Sequence, residues 1–384
     1  MNVPFFDIGK LNRTIAMQIH DAASRALDSG WYILGKECSN FENAMTTQLS
    51  GHTVVGCNSG TDALILSLLA AGVGSGDEVI TVANTAIPTV AAICATGATP
   101  VLVDVDSETW LINNKLVITA LSPKTRAVIA VHLYGNMADI YELKQTLTNA
   151  GRDDVIIIED VAQAQGATLN GNSAGTLGHF GAFSFYPSKN IGALGDGGAV
   201  HCTNDLDVAA VRALRNYGQK DRYHAETTRG INSRLDEVQA AILAVKLPFL
   251  QAWNLRKEEL INRYRQELAG MPILFQKSTP GCQPAWHLCV IALESAEKRI
   301  ELQEYLQNIG VQTLVHYPIP CHRQLAFSTS RATELRVTED LADRILSLPL
   351  NPVLADDEQE HVITSVRRYF TDFNLSHKKE DSQP

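Results

Sequence analysis

Lys189 stands in a glycine-rich segment whose composition could make its amine a nucleophile. The segment 181–198 reads GAFSFYPSKNIGALGDGG, in which an apolar, strand-like run leads into the loop that carries the lysine. Its five glycines allow tight turns and a close approach of a ligand to the backbone. A lysine held there away from water would have a lowered pKa and could act as an amine nucleophile. A surface lysine on a glycine-rich turn would show the same pattern, so this segment alone does not decide.

A pair of carboxylates follows a second apolar run. The segment 156–166 reads IIIEDVAQAQG and predicts a buried strand that ends at Glu159 and Asp160. Ligands of open α/β sheets bind at the carboxyl edge of the strands, so a carboxylate there is well placed for chemistry. It could keep a heteroaromatic nitrogen protonated, as the pyridinium nitrogen of pyridoxal phosphate (PLP) requires. An aspartate at this point could equally cap the next helix.

A third segment combines small polar residues with the start of a helix. Residues 56–64 read GCNSGTDAL, and the helical pattern begins near Thr61. Backbone N–H groups at a helix N-terminus, with a hydroxyl beside them, suit a phosphate, although an ordinary Ser or Thr cap would look alike. The G-x-x-x-x-G-K-[ST], G-x-G-x-x-G and H-E-x-x-H motifs are absent, which disfavours nucleotide-triphosphate, dinucleotide and zinc-protease sites. His316 and His322 have no evident carboxylate partner, so we predict no metal site.

The composition is that of a soluble globular protein. The chain has 384 residues, 45% of them hydrophobic and 19% charged, with a formal net charge of −10. This negative balance argues against binding to nucleic acid or to a membrane surface. The seven scattered cysteines and the lack of a signal-like N-terminus predict reduced thiols in the cytoplasm.

The order of the elements predicts an α/β fold. Short β-branched runs alternate with helical patterns through the first two thirds of the chain, which predicts a mostly parallel sheet sandwiched by helices. The predicted strands are 78–82, 100–105, 127–131, 155–158, 182–186 and 198–202, and the last two, being close in sequence, are possible antiparallel neighbours. Helices are predicted at 13–27, 41–49 and 61–71.

The pattern changes after residue 235. A helical pattern over 235–268 is broken at Pro248. The segments that follow predict strands at 286–293 and 311–315 and helices at 296–308, 339–346 and 357–369. We therefore predict a large α/β domain at 1–246, a smaller α+β domain at 247–375 and a disordered tail at 376–384.

Taken together, these segments resemble the DegT/StrS family of nucleotide-sugar aminotransferases, PLP enzymes of the aspartate-aminotransferase fold (fold type I). The resemblance extends from about residue 4 to residue 370. The motifs that carry it are NSGTDAL, GDEVIT, GATPVLVDVD, HLYGN, EDVAQAQGA, FSFYPSKNIGALGDGG, LRNYG, NSRLDEVQAAIL and HYPIP. The resemblance implies a PLP-dependent transfer of an amino group from L-glutamate to a keto sugar carried by a nucleotide. Pyridoxamine phosphate (PMP) is then the intermediate form of the cofactor.

The resemblance also implies roles for single residues. Lys189 matches the lysine that binds the cofactor covalently, and Asp160 the carboxylate that pairs with its ring nitrogen. Gln163 matches the amide near the phenolic oxygen of the cofactor. The phosphate positions are matched by Gly60, Thr61 and Ser184, and by Asn232, which in the family reaches the cofactor of the neighbouring subunit. A homodimer with shared active sites is therefore expected.

Weaker expectations concern the sugar nucleotide. We expect Tyr186, His316 and Tyr317 to contact the substrate. Cations for its diphosphate are sought in one basic stretch, much of which could equally be a solvated helix face: Arg212, Arg215, Lys220, Arg222, Arg229 and Arg234.

One residue departs from the family pattern, and several substrates remain open. Ala86 stands where relatives usually carry an aromatic residue that stacks on the cofactor ring. The segment around Lys189 is most similar to that of relatives that aminate C3 of a 3-keto-6-deoxy sugar on dTDP. Amination of a C4 ketone or of a cyclitol ketone, and a non-catalytic regulatory role, are the alternatives.

Overall fold

The computed structural model describes residues 1–380 of the chain. Its main feature is a mostly parallel sheet of eight strands within these residues, in the order β1-β9-β8-β5-β4-β2-β3-β15. The strands of the described chain are β1 (Val54–Cys57), β2 (Glu78–Val82), β3 (Thr99–Val103), β4 (Thr125–Val131), β5 (Ile156–Asp160), β6 (Thr168–Leu169), β7 (Asn172–Ser173), β8 (Phe180–Ser184), β9 (Gly198–Cys202), β10 (Gln219–Asp221), β11 (His224–Ala225), β12 (Ile273–Phe275), β13 (Cys282–Gln283), β14 (Cys289–Leu293), β15 (Arg331–Ala332) and β16 (Ile345–Leu348).

Helices cover this sheet and build the second part of the molecule. The helices are α1 (Ile8–Arg13), α2 (Ala16–Asp28), α3 (Lys36–Gln48), α4 (Gly60–Ala70), α5 (Ile87–Ala95), α6 (Asn114–Ala120), α7 (Ile140–Asn149), α8 (Asp205–Leu214), α9 (Glu237–Lys246), α10 (Leu250–Glu267), α11 (Ala296–Asn308), α12 (Arg336–Arg344) and α13 (Asp356–Glu380). The inner strands β2, β4 and β5 are almost entirely buried on both faces, as expected of parallel strands covered by helices. The predicted α/β fold with a mostly parallel sheet is confirmed.

The register of the sheet brings three chain segments to one edge. Asp160, the last residue of β5, is level with Val131 of β4 and with Ala182 of β8 in parallel pairing. β8 and β9 pair antiparallel, with Ser184 opposite Gly198, which confirms the prediction that these two strands are antiparallel neighbours. The loop that carries Lys189 therefore leaves the sheet beside the carboxyl end of β5.

Two sequence predictions in the C-terminal part are wrong. The run 311–315 is not a strand, because Val311 and Leu314 each form only an isolated bridge, to Val3 and to Ser347. The helix predicted at 339–346 ends at Arg344, and β16 begins directly after it. Its four residues are buried and pair antiparallel with β14, so sheet pairing overrides the helical pattern at this point.

The division into domains stays a prediction. The break at residue 247 coincides with a short 3₁₀ turn, Leu247–Phe249, between α9 and α10. A second core surrounds Tyr264 and is separate from the core around the large sheet. Val3 belongs to this second core, and β15 pairs with β3 of the large sheet, so the two parts exchange short segments. Of the tail predicted at 376–384, residues 381–384 lie outside the described residues, and α13 is assigned as far as Glu380.

Candidate active site

A cavity of about 370 Å³ lies at the carboxyl end of β5. It collects all but one of the site residues predicted from the sequence. These are Gly60, Thr61, Asp160, Gln163, Ser184, Tyr186, Lys189, His316 and Tyr317. The other residues of its wall are Ser59, Leu64, Ala86, Pro88, Thr89, Ala162, Ser188, Asp196, Gly197 and His287.

Asp160 and Glu159 point to opposite faces of the sheet, because side chains alternate along a strand. Glu159 is fully buried away from the cavity and accepts hydrogen bonds from His132 and from three backbone N–H groups. Asp160 faces the cavity. One of its oxygens accepts a hydrogen bond from Thr89 Oγ1 at 2.9 Å and the other from Ala162 N at 3.1 Å. Each oxygen of Asp160 therefore keeps a free lone pair.

Lys189 is half-buried in the loop between β8 and β9. Its backbone N–H donates to Tyr186 O at 2.8 Å, which closes a turn and presents the side chain to the cavity. Burial lowers the pKa of Lys189 to about 8, and the negative charge of Asp160 opposes that shift. At pH 7 about a tenth of this amine is therefore uncharged, far more than for an exposed lysine, and the uncharged amine is the state that a nucleophile or a base needs.

The N-terminus of α4 forms one end of the cavity. Ser59 caps the helix by accepting a hydrogen bond from Asp62 N at 3.1 Å, while the N–H groups of Gly60 and Thr61 have no acceptor within the helix. A Cβ on Gly60 would lie 2.4 Å from Ser184 Cβ, so only glycine lets the helix start directly against the end of β8. The hydroxyl of Ser184 thus stands beside two free N–H groups, an arrangement that fits a phosphate.

Gln163 is fixed by hydrogen bonds on both sides of its amide. Its Oε1 accepts from Tyr134 N at 2.7 Å, so Nε2 points the other way and donates to the Tyr317 hydroxyl at 2.9 Å. Tyr134 also donates its hydroxyl to the backbone oxygen of His316. Burial, followed by the charge of Asp160, raises the pKa of Tyr317 to about 12, so the phenol stays protonated.

His316 and Tyr186 complete the open side of the cavity. His316 stacks on Phe5, with ring centroids 5.5 Å apart, and its Nδ1 lies 3.0 Å from Ser347 Oγ. Burial lowers the pKa of His316 to about 4, with a further contribution from the charge of Lys189, so its ring is neutral at physiological pH. Tyr186 is 56% exposed and is free to contact a ligand larger than the cavity.

The residues of the cavity fit PLP. The phosphate would be held by the start of α4 and Ser184, the ring nitrogen by Asp160, the phenolic oxygen by Gln163, and the reactive carbon by Lys189. The free lone pairs of Asp160 and the close packing of Gly60 on Ser184 are the two features that an ordinary buried strand end would not need.

Asn232 is the one predicted site residue that lies outside the cavity. It is exposed and forms an isolated bridge with Asn216. Its predicted reach into the site of a neighbouring subunit is not tested by a single chain.

The predicted basic stretch does not line the cavity either, and its members contact residues outside the cavity. Arg215 is buried, with Nη1 2.6 Å from Glu42 Oε1 and donating to Gly56 O, and Arg229 donates to Val73 O. Lys220 is exposed, and Arg222 lies over the ring of Tyr223, in or beside the β10–β11 hairpin. The expectation that this stretch binds the diphosphate is therefore wrong for Arg215, whose guanidinium has a structural role.

Ala86 lines the cavity as the N-cap residue of α5, so a methyl group stands where an aromatic side chain was expected. Sequence reasoning missed Thr89 and His287 as cavity residues. His287 Nδ1 lies 3.1 Å from the Oδ1 of Asn190, which follows Lys189 directly in the chain. The proximity of Thr89 to the position of Ala86 was a usable signal, whereas His287 comes from a distant segment and carried none.

Two kinds of feature are absent from residues 1–380. Within them, no cluster of three or more His, Cys, Asp or Glu side chains is arranged to hold a metal ion. Searching the same residues, we find no helix whose length and apolar character would let it cross a membrane.

The sequence matches the DegT/DnrJ/EryC1/StrS aminotransferase family over residues 13–367. The chain is 42% identical to the erythromycin biosynthesis sensory transduction protein EryC1 of Saccharopolyspora erythraea, covering 96% of this chain and 99% of that one. It is also 42% identical to dTDP-3-amino-3,4,6-trideoxy-alpha-D-glucose transaminase of Streptomyces venezuelae, with 96% of each chain covered.

Solved structures agree with these relatives. DesV of S. venezuelae superposes with a TM-score of 0.91 at 40% identity, covering 96% of this chain and 98% of that one. NtdA of Bacillus subtilis, solved with bound cofactor PMP, has a TM-score of 0.89 at 29% identity, with 96% and 85% of the two chains covered.

Proposed function

Since the chain belongs to the DegT/DnrJ/EryC1/StrS aminotransferase family and is a pyridoxal-phosphate enzyme, we propose that it aminates the C3 ketone of a dTDP-linked keto-deoxy sugar with L-glutamate as donor. The products are the corresponding amino sugar and 2-oxoglutarate. The observation that carries this proposal is the convergence of Lys189, Asp160, Gln163 and the α4 N-terminus on one cavity. The choice of sugar rests on the relatives, since the S. venezuelae relative is named as a transaminase of a dTDP-3-amino sugar.

The side chains of the cavity divide the work between holding and proton transfer. When bound, PLP acts as the electron sink that carries the amino group from donor to acceptor. Asp160 would accept a hydrogen bond from the protonated ring nitrogen, and Gln163 Nε2 would use its second N–H to donate to the phenolic oxygen. Lys189 Nζ, with its pKa of about 8, accepts the proton that leaves the α-carbon of the donor and returns one to the sugar carbon.

Aromatic residues and the hydrogen bonds of Gln163 shield one side of the cavity from water. Tyr317 and His316 line the cavity, and the hydrogen bond from Gln163 holds Tyr317 in place, while Tyr134 supports Gln163 and His316 from behind the wall. The exclusion of water strengthens the interactions of Asp160 and keeps Lys189 partly uncharged.

The test is a visible absorbance spectrum of the purified protein with PLP, followed by L-glutamate and then by a panel of keto sugars. We expect glutamate to convert the PLP spectrum to that of PMP, and the C3-keto dTDP sugar to reverse the change. Lys189→Ala should lack the normal PLP spectrum, while Lys124→Ala, at an exposed lysine, serves as the matched control. A wild-type protein that binds no PLP contradicts the proposal and favours a non-catalytic regulatory role, which the name of the EryC1 relative suggests.

The panel also separates the alternative substrates. A C4-keto nucleotide sugar or a cyclitol ketone that restores the PLP spectrum faster than the C3 ketone would move the proposal to that substrate. Mass spectrometry and NMR of the product identify the carbon that carries the amine.

We further propose that the enzyme is a homodimer in which Asn232 and the β10–β11 hairpin of one subunit complete the cavity of the other. Among the residues that line the cavity, Lys189 is the one lysine or arginine, and the lining also includes Asp160 and Asp196. A diphosphate substrate therefore needs cations from elsewhere, and Lys220 and Arg222 are exposed near Asn232 in sequence. Exposed Trp31 and Tyr32 provide apolar surface of the kind that interfaces cover.

Mixed dimers test this sharing. Lys189→Ala and Asn232→Asp should each be inactive, since the second places a negative charge beside a phosphate. After random reassortment, half of the dimers are mixed and have one intact site, so about a quarter of wild-type activity should return. Mixed dimers isolated with two different tags that stay inactive would contradict sharing.

A further inference from the structure

Two buried hydroxyl groups lead to the carboxylate of Asp160. Thr89 Oγ1 lies 2.9 Å from Asp160 Oδ2, and Thr85 Oγ1 lies 2.8 Å from Thr89 Oγ1. The exposed fraction is 2% for Thr85, 1% for Thr89 and 6% for Asp160, so water does not compete for these hydrogen bonds. Thr85 belongs to the segment that joins β2 to α5 and carries Ala86, and Thr89 lies at the start of α5.

The direction of both hydrogen bonds follows from the chemistry of the groups. An ionised carboxylate only accepts, so Thr89 donates its single hydroxyl proton to Asp160. The Thr89 oxygen must then accept, so Thr85 donates to it. The result is a one-way relay in which Thr85 orients Thr89 and Thr89 orients the carboxylate.

The relay is anchored on both sides. Thr89 lies in the first turn of α5, where its N–H donates to Ala86 O at 3.2 Å. Cys321 is buried against the same segment, and its N–H donates to Ala83 O at 2.9 Å. The threonine hydroxyls are therefore held by the backbone on which they stand, and not by the ligand.

We propose that Thr89, oriented by Thr85, is a positioning residue that holds Asp160 with one lone pair directed at the ring nitrogen of PLP. This inference rests on the proposed PLP function of the cavity. Ala162 N occupies the second oxygen of Asp160 in the same way, so the carboxylate can neither rotate nor turn its free lone pairs away from the cavity. A charge-assisted hydrogen bond of this kind contributes more than a neutral one.

Substitutions that remove or keep the hydroxyl group distinguish a packing role of Thr89 from a positioning role. Thr89→Val keeps the volume and removes the hydroxyl, while Thr89→Ser keeps the hydroxyl and removes a methyl group. Thr85→Val removes only the outer hydroxyl. Thr338→Val is the matched control, because Thr338 Oγ1 donates to the buried Asp104 at 2.7 Å outside the walls of this cavity.

Two measurements report on the carboxylate without depending on turnover. The first is the dissociation constant of PLP from the apoprotein by fluorescence titration. The second is the ¹⁵N chemical shift of ring-labelled PLP in the holoprotein, which reports whether the ring nitrogen is protonated. Thr89→Val should bind PLP about tenfold more weakly and move the shift towards the unprotonated value. Thr89→Ser should restore both, and Thr85→Val should show the same changes at about threefold.

Each outcome decides the inference. Thr338→Val should lower the melting temperature and leave both PLP measurements unchanged. If Thr89→Val behaves like Thr338→Val, Thr89 has only a structural role and the inference is wrong. If Thr89→Val does not fold, Thr85→Val decides alone, and wild-type values would overturn the relay. A wild-type protein that binds no PLP removes both this inference and the proposed function, whereas normal wild-type behaviour with unaffected variants removes this inference alone.

Discussion

Glu159 and Asp160 are neighbours on one strand, yet their surroundings differ in almost every respect. Glu159 Oε1 accepts from Leu177 N and Gly178 N at 2.7 and 2.6 Å, and Oε2 from His132 Nε2 and Gly175 N at 2.8 and 3.0 Å. Asp160 has one donor on each oxygen. The first carboxylate has its full set of four acceptor sites in use, whereas the second keeps two.

This difference assigns the two carboxylates to different tasks. Burial alone would raise the pKa of Glu159, but hydrogen bonds from His132 and from backbone N–H groups outweigh it and lower the pKa. His132 Nδ1 accepts from Ala138 N, so Nε2 carries the proton and the neutral ring can donate to Glu159. Glu159 thus holds the loop before β8 against the sheet and has nothing left to offer a ligand. Spare acceptor capacity, and not charge, distinguishes the functional carboxylate.

The largest expected effect is that of Asp160→Asn. The amide cannot keep the ring nitrogen protonated, because its oxygen carries no charge and its nitrogen is a competing donor. We expect the half-reaction with L-glutamate to slow by a factor on the order of 10²–10³, measured by stopped-flow absorbance of the PLP-to-PMP change. Asp196→Asn, at an exposed carboxylate on the rim of the same cavity, should slow this half-reaction far less.

Two outcomes would contradict this assignment. A near-normal rate in Asp160→Asn would mean that the ring nitrogen needs no carboxylate partner. An equally slow reaction in Asp196→Asn would mean that net negative charge in the cavity matters, and not the position of Asp160.

Glu159→Gln should show the reverse pattern, with a large effect on stability and a small one on chemistry. In wild type, each oxygen of Glu159 accepts from two donors. In the variant, an NH₂ group replaces one oxygen and cannot accept, so two buried donors lose their partner. We expect the free energy of unfolding to fall by about 3 kcal/mol. Urea denaturation measures this change, and the PLP dissociation constant, measured on the folded variant, should stay within about twofold of wild type.

The comparison fails if Glu159→Gln is as stable as wild type but loses PLP binding. That result would place Glu159 in the cofactor site and would remove the distinction between the two faces of β5.

The sequence predicted much of this site, because local patterns determine where strands end. The apolar run 156–158, followed by two acidic residues, predicted carboxylates at the edge of the sheet. The motifs around Lys189 and Gly60 predicted PLP chemistry. The resemblance to the family selected Asp160, but the strand pattern alone could not choose between Glu159 and Asp160. The donors that saturate Glu159 come from residues 175–178 and from His132, and only tertiary packing brings them together.

The same limit explains the missed elements. β2 was predicted with its observed bounds, since its apolar run is buried on both faces and bounded by polar residues. β16 was missed because its partner, β14, lies more than fifty residues away and the preceding residues are helical. His287 comes from a distant segment without a motif, and Thr89 could be found only through its proximity to Ala86, because the sequence does not display the hydrogen bonds of either residue.

The smallest expected effect concerns the amine that faces Asp160. Burial lowers the pKa of Lys189 to about 8, and Asp160 raises it against that trend. Trace acetylation of the apoprotein, followed by mass spectrometry, should therefore show Lys189 becoming reactive as the pH rises through about 8, relative to the exposed Lys124. Removing the opposing charge in Asp160→Asn should move this midpoint down by up to about one pH unit, because an uncharged neighbour no longer favours the ammonium form. Glu159→Gln should leave the midpoint where it is, since Glu159 lies on the opposite face of β5. A shift of equal size in both variants would mean that the amine senses net charge and not the geometry of the cavity.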